Sequence, residues 1–535
     1  MPGGRTPTRP IHHPSDRSGE ATFARLKRRA ALQAPGDLLR PPIEIRGHVM
    51  NREDVMSIAA AIESMKAEFT RLSDSIWDFA ELKFEEQRSS GLLAKALEHN
   101  DFSVRRGVAG MDTAFIGESG SGKPVIAFLG EFDALASMSQ AAGIAEAKPL
   151  VEGASGHGCG HNLLGVGSLM AAIALARHLK ANNLPGTVRY YGCPGEEGGS
   201  GKTFMVRAGL FDDVDTALTW HPAPFNGVRS TNNLAVLEYF YRFKGVAAHA
   251  ANAAHLGRSA LDAVELMNVG VNFLREHMPQ DCRVHYAITD AGGRAANVVQ
   301  ANAEVLYLIR APEMPQALDL ARRVEKVARG AAMMTETEVE IVFDTASTNL
   351  LPNITLETAM HENMVALGPI AFDEADIAFA RSIQETFSQE AIKSSIRLYQ
   401  MKRDVFSNAN VDGSSPLHLG LREFEGHSHF RAGSTDVGDV SWVTPTAQCW
   451  APAWAIGTNP HTWQVVAQGK SPIAHKAMAH AAKTLATTGL SLMTSPDLLA
   501  AARAEWLEKT DGKSYVCPIP ADVTPGSHPH GRPVR

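Results

Sequence analysis

From Asn51 onward, apolar residues return every three or four positions through MSIAAAIESMKAEFTRLSDSIWDFAELKFEE and again through SSGLLAKALEHN, the spacing of amphipathic helices. The pattern then changes to short apolar runs separated by helical stretches. PVIAFLG (124–130), TVRYYG (187–192) and DTALTW (215–220) read as strands buried on both faces, with a helix from Leu163 to about Leu179 between the first two. Strand and helix in alternation predict an α/β layer around a central mixed, largely parallel sheet.

Near Asn233 the texture shifts. LAVLEYFYRFKG reads as one long strand, and ALDAVELMNVGVNFLREH as an amphipathic helix. RVHYAITD and NVVQANAEVLYLIR follow as two strands divided by AGGRAAN, then the helix QALDLARRVEKVARGAA and the strand EVEIVFDTA. The order β-α-β-β-α-β is that of a ferredoxin-like α+β unit, inserted at 233–348. The α/β domain is then discontinuous, 51–232 and 349–495. Residues 1–50 are rich in Pro, Gly and Arg with little to bury and are expected to be disordered, and 496–535 to form an irregular tail.

Composition narrows the class. A chain of 535 residues exceeds one ordinary core, and 44% apolar with 20% charged residues is the balance of a soluble globular protein. A net charge of -7 gives neither nucleic acid nor an anionic membrane a footing. Five scattered cysteines form no disulfide framework and suit a reducing, cytoplasmic setting. Asp16, Glu20 and Asp37 argue against an organellar address in the Arg-containing start, and no secretory apolar core is visible there. The longest apolar run, Leu163 to Ala176, is too short to span a bilayer and reads as a buried helix.

Chemistry gathers where the strands stop. PVIAFLG runs into Glu131 and Asp133, TVRYYG into Cys-Pro-Gly and Glu196-Glu197, and DTALTW into His221, while the late apolar stretch APAWAIG is followed by His461. The loop GHGCGH places His157, Cys159 and His161 just ahead of the buried helix. Ligands of open α/β sheets bind at the carboxyl ends of strands, so these groups are expected on one rim. Singly, a histidine at a strand end is more often structural, and a Glu-Glu pair more often a solvated loop. Together, a thiolate, three imidazoles and two carboxylates make a ligand set for one or two borderline-soft divalent metals.

GHGCGHN, PGEE, WHP and PHTWQ, in this order, resemble the M20 metallopeptidase family, and within it the amidohydrolases of aromatic acyl-amino acids. FKGVAAHAANAAHLGRSALDAVELM and AGGRAANVVQANAEVLYLIR resemble that family's lid, so the resemblance runs from about Asn51 to the tail. It implies a metal-dependent hydrolase of amide bonds, with Cys159, His161, Glu197, His221 and His461 as ligands of two divalent ions, Zn2+ or Mn2+. Glu196 becomes the general base, and His249 a lid histidine that reaches a partner subunit's site and polarises the scissile carbonyl. Asn297 and Arg310 become substrate-binding residues of the lid, Arg310 with a lid-internal salt bridge as its alternative. Asp133, with Glu131, supports the ligands from behind, and His157 orients their loop or simply hydrogen-bonds within it. The sequence departs from the family in having Asn162 where many relatives have Asp, and GEFDAL where other branches have a His-x-Asp.

The implied substrate is an aromatic acyl group amide-linked to an amino acid, p-aminobenzoyl-glutamate for instance. The implied partner is a second copy or a related chain joined through the lid, giving a homodimer or a heteromer. Two other readings stay open at this stage: a non-catalytic member of a heteromeric amidohydrolase, and an aminohydrolase that releases ammonia.

Overall fold

The computed structural model describes residues 44–45, 48–49, 52–399, 401–407 and 411–526. Apart from a short antiparallel pairing of Glu44–Ile45 with His48–Val49, the expected disordered segment 1–50 lies outside the described residues.

Seven strands build the central sheet, in the order Ser103–Arg106, Phe115–Ser121, Gly186–Cys193, Val125–Glu131, Thr216–Ala223, Thr446–Pro452 and Gly227–Val228. The four from Gly186–Cys193 to Thr446–Pro452 run parallel and the outer pairings are antiparallel. Val125–Glu131 shows why the sequence reads as a continuous apolar run. Ile126 and Phe128 join one apolar cluster and Val125, Ala127 and Leu129 another, so both faces are covered. On the first face lie the helices Arg52–Phe79, His161–Ala181 and Pro472–Thr494. In Arg52–Phe79 the buried positions Val55, Ile58, Ile62, Met65, Phe69, Ser73 and Ile76 form one helical stripe.

His161–Ala181, at 21 residues, is long and apolar enough to cross a membrane by length and composition, and 94% of its most apolar window is buried inside the fold. It lies very close to the sheet. A Cβ on Gly165 would stand 2.6 Å from the Glu131 carbonyl oxygen, and one on Gly167 2.8 Å from the Trp220 ring. Trp220 is accordingly a core residue, its indole N–H donating to the Leu164 carbonyl at 3.1 Å.

A separate four-stranded antiparallel sheet runs in the order Arg283–Asp290, Asn302–Ala311, Ala235–Lys244, Glu338–Ser347. Helices Ala260–Leu274 and Met314–Thr335 cover one face of it. Odd-numbered residues such as Leu237, Tyr241, Tyr307 and Ile309 point to those helices, while Glu238, Arg242, Glu304 and Arg310 line the opposite face. This is the ferredoxin-like connection of the sequence pattern. Its return to the central sheet is pinned by the Ser200 and Thr345 hydroxyls, 2.7 Å apart, and by the Thr348 N–H donating to Asp439 at 3.1 Å.

Two stretches differ from the pattern. The last central strand is Thr446–Pro452, so only the start of APAWAIG is extended. Residues Pro496–Thr510, expected to open the irregular tail, form a helix capped by the Ser495 hydroxyl. That helix buries only Ala502 and Thr510, so it carries no apolar stripe to betray it.

Candidate active site

The carboxyl ends of the parallel strands converge. The chain enters His161–Ala181 through Gly160 in the left-handed region (φ 77°), where a Cβ would stand 3.1 Å from Pro222 and 3.2 Å from Trp454. This tight entry sets Cys159 Sγ 3.3 Å from His221 Nε2. The turn after Gly186–Cys193 passes through left-handed Gly195, Gly198 and Ser200, presenting Glu196 and Glu197 in different directions. The buried Glu86 carboxylate anchors that turn, accepting the Gly195 N–H at 2.9 Å. Lys83 Nζ donates to the Gly198 carbonyl on its other side. His461 is held at φ 61°, a strained conformation for a non-glycine residue, and its N–H donates to the Gly158 carbonyl at 2.8 Å.

Two donor groups result, and they share one thiol. Ligand atoms of Cys159, His161 and His221 all lie within 4.8 Å of one another, and so do those of Cys159, Glu197 and His461. Glu131, His161 and Glu196 form a third, overlapping group. His461 Nε2 stands 3.0 Å from Glu197 Oε1. His161 Nδ1 stands 2.8 Å from Asp133 Oδ1, and Asp133 Oδ2 accepts the Glu197 N–H at 2.8 Å, so one carboxylate orients a ligand candidate from each group. His161 Nε2, wholly buried, has no hydrogen-bond partner.

Charge behind the cluster is balanced by a lysine. Lys202 Nζ, fully buried, reaches Glu131 at 2.8 Å and Asp436 at 2.5 Å. Glu131 in turn faces His161 Nε2 at 3.3 Å. Nothing in the sequence pattern singles out this lysine or Asp436, 234 residues away, and their pairing exists only in three dimensions.

The protonation pattern follows from crowding. The Cys159 thiol and Glu197 hold His461 protonated up to about 10. Burial opposes charge on His161, but Asp133 and Cys159 outweigh it and raise its pKa. His221 moves the other way, driven well below its usual range by burial and by Arg229. Burial and the neighbouring Glu131 and Glu197 carboxylates raise Glu196. Burial brings His157 down to about 4; its Nε2 bonds the Ile76 carbonyl at 3.0 Å, tying the loop to the end of the first long helix. Asn162 is fixed beneath the loop, donating to Ser73 and to the Gly469 carbonyl.

The lid residues lie apart. His249 and Asn297 are exposed neighbours: the Ala250 N–H donates to the Asn297 carbonyl at 3.0 Å, and His249 Nδ1 accepts from Ala251 and Asn252 at 3.2 Å each. Among the described residues, no hydrogen bond or ion pair joins either to the cluster. Arg310, on the open face of the lid sheet with Glu238 as electrostatic neighbour, forms no ion pair among the described residues, and its buried Nε has no hydrogen-bond partner.

A thiol, imidazoles and carboxylates gathered at the rim of an α/β sheet, with an antiparallel unit inserted beside it, define a candidate metal site of the kind metal-dependent hydrolases use. The chain belongs to peptidase family M20/M25/M40, whose sequence profile matches residues 127–532. It is 50% identical over 473 residues, 87% of this chain and 97% of the relative, to one of the p-aminobenzoyl-glutamate hydrolase subunits of Escherichia coli (strain K12). A second p-aminobenzoyl-glutamate hydrolase subunit of the same organism is 29% identical over 51% of this chain and 62% of its own length. The Xaa-Arg dipeptidase of Mus musculus is 29% identical over 84% of this chain and 91% of that one. The fold is shared with an aminobenzoyl-glutamate utilization protein from Klebsiella pneumoniae, at a TM-score of 0.53 and 18% identity, covering 80% of this chain and 97% of the other.

Proposed function

We propose that this protein hydrolyses the amide bond of an aromatic acyl-glutamate such as p-aminobenzoyl-glutamate, with Cys159, His161, Glu197, His221 and His461 holding two divalent ions. The observation that carries the reading is the sharing of Cys159 between two donor groups, beside a glutamate, Glu196, that lies outside both. The donor set fits: a thiolate with imidazoles suits Zn2+ on softness grounds, carboxylates admit Mn2+, and His161 Nε2, which makes no hydrogen bond and faces the Glu131 carboxylate at 3.3 Å, is available as a ligand atom. Divalent ions bound there supply acidity to water and polarise the scissile carbonyl.

The chain's own residues do the rest. Glu196 takes a proton from the attacking water and delivers it to the leaving amine. Asp133 fixes the tautomer of His161 and the position of Glu197 through its two oxygens. His249 donates to the developing oxyanion, and Asn297 and Arg310 hold the substrate from the lid. The exposure of His249 within its own chain fits a target in the site of an adjoining subunit. The two related hydrolase subunits of Escherichia coli support a heteromer with a related M20 chain, a homodimer being the alternative. The scattered free cysteines are the ground for placing it in the cytoplasm.

The test measures metal content and p-aminobenzoyl-glutamate hydrolysis in parallel, on wild type and Glu196→Ala. Two ions per chain, glutamate release by wild type, and a variant that keeps its metal but loses turnover are the expected results. Ammonia in place of glutamate, or a protein that binds no metal, overturns the reading.

A further inference from the structure

Beside His221 lie two arginines that the catalytic reading leaves unused. Trp450 is the register partner of His221 in the central sheet and of Gly227 on the sheet's other side. Two residues after Gly227 comes Arg229. Its backbone N–H donates to the Gln448 carbonyl at 2.8 Å, and its Nη1 to the Gln448 side-chain oxygen at 3.1 Å. Its Nε is shut off from solvent and has no hydrogen-bond partner. Arg431 ends the short strand His429–Arg431, parallel to Thr231–Asn233. Its guanidinium lies 4.8 Å from the Tyr399 ring centre and 5.3 Å from that of Trp450. Tyr399 is itself buried against Trp450 (5.0 Å) and Phe225 (5.3 Å).

Among the described residues, neither Arg229 nor Arg431 forms an ion pair. Burial and the neighbouring Arg431 disfavour the charge on Arg229 and outweigh the favourable Glu196 and Glu131 carboxylates. Two like charges, at least one of them largely desolvated, are costly unless an anion joins them. A guanidinium fork matches a carboxylate with two parallel hydrogen bonds, a geometry that a lysine cannot provide. The location gives the anion its identity. Trp450, under the Arg431 guanidinium, is the register partner of His221, and Arg229 is bonded to Gln448 two residues before it, so an anion bound between the two arginines lies beside the reacting amide.

We propose that Arg229 and Arg431 form a carboxylate-binding pair of the active site, receiving a carboxylate from the amino-acid half of the substrate against the wall of Tyr399 and Trp450. This rests on the acyl-amino-acid reading above and names the residues that choose the amino acid. The pair lies in the α/β domain, so it binds the carboxylate whether or not the lid is engaged. Glutamate offers an α- and a γ-carboxylate, and the pair takes one of them.

The experiment uses the full-length, metal-loaded protein with p-aminobenzoyl-glutamate and its two mono-amides, one blocked at the α- and one at the γ-carboxylate. Wild type should reject the amide at the recognised position. Arg431→Gln and Arg229→Gln should each lower kcat/KM for the acid by about 10- to 100-fold, the value of a charged hydrogen-bonded pair, mainly through KM. They should leave that amide nearly unaffected, so that discrimination collapses. Arg431→Lys should restore only part of it. Retention of full discrimination in both Gln variants, or equal losses on acid and amides, overturns the proposal.

If wild type hydrolyses no acyl-glutamate, the substrate reading fails and calorimetric binding of free glutamate to the metal-loaded protein decides the matter. Binding weakened about tenfold or more in both variants keeps the pair as a carboxylate site, and unchanged binding removes it.

Discussion

In the central sheet the strand Val125–Glu131 is buried at all seven positions, whereas in the inserted sheet Asn302–Ala311 alternates between buried and half-exposed residues along its length. The first sheet is sealed on both faces, so its polar groups can emerge only at the strand ends. There Glu131, Asp133, Glu197, His161 and Lys202 neutralise and orient one another in low dielectric. The second sheet keeps one face open, and its functional candidates His249 and Asn297 stand exposed. One region is a finished constellation. The other is a surface whose chemistry waits for something to close against it.

The contrast is tested most severely at Cys159, the thiol common to both donor groups. Cys159→Ser should empty both metal positions and bring hydrolysis to background, measured by metal analysis and turnover. A variant that kept two ions and most of its activity would show that the rim is not one cooperative cluster. Glu196→Gln should be next, lowering kcat by about two to four orders of magnitude with metal content unchanged, because a positioned base supplies that much and the ligands are untouched.

Lys202→Met removes the ammonium that Glu131 and Asp436 share. Stranding two buried carboxylates should cost about 3–5 kcal/mol of unfolding free energy, read from denaturant titration. A loss below about 1 kcal/mol would mean water reaches the cluster, and the sealed picture would fail. For the lid, His249→Ala should leave the melting temperature in place. It should reduce kcat about 100- to 1000-fold, the usual effect of losing one oxyanion donor. If the variant melts early, the residue serves the lid's own structure instead.

The elements of both regions were legible, but the partners that hold the rim were not. The strand ends declared the rim: PVIAFLG, TVRYYG and DTALTW each run from apolar residues straight into the acids or the histidine found there. Their burial on both faces makes the apolar pattern unambiguous. The lid's β-α-β-β-α-β order was equally plain, because its alternation and helical stripes follow from a single covered face. Hidden from the sequence were the partners that hold the rim in place. Lys202 with Asp436, Glu86 with Gly195 and Arg229 beside Arg431 come from segments far apart in the chain. Periodicity reports which face a residue turns, not which distant residue it meets.

The mildest expected effect sharpens the comparison from the lid side. Arg258 Nε donates to Glu336 Oε2 at 2.7 Å, as short a contact as those around Lys202, but the two side chains are 36% and 71% exposed. Glu336 caps the C-terminus of Met314–Thr335 in a left-handed conformation, where the helix dipole disfavours a carboxylate and Arg258 offsets it. In water that attraction is diluted and screened. A double-mutant cycle with Arg258→Ala and Glu336→Gln should give a coupling of about 0.2–1 kcal/mol that fades in high salt. The same cycle on Lys202 and Asp436 should give a larger, salt-insensitive coupling. If the two couplings match, contact distance sets the strength of an ion pair here. If they differ as expected, burial sets it, and the rim owes its order to the sheet that seals it.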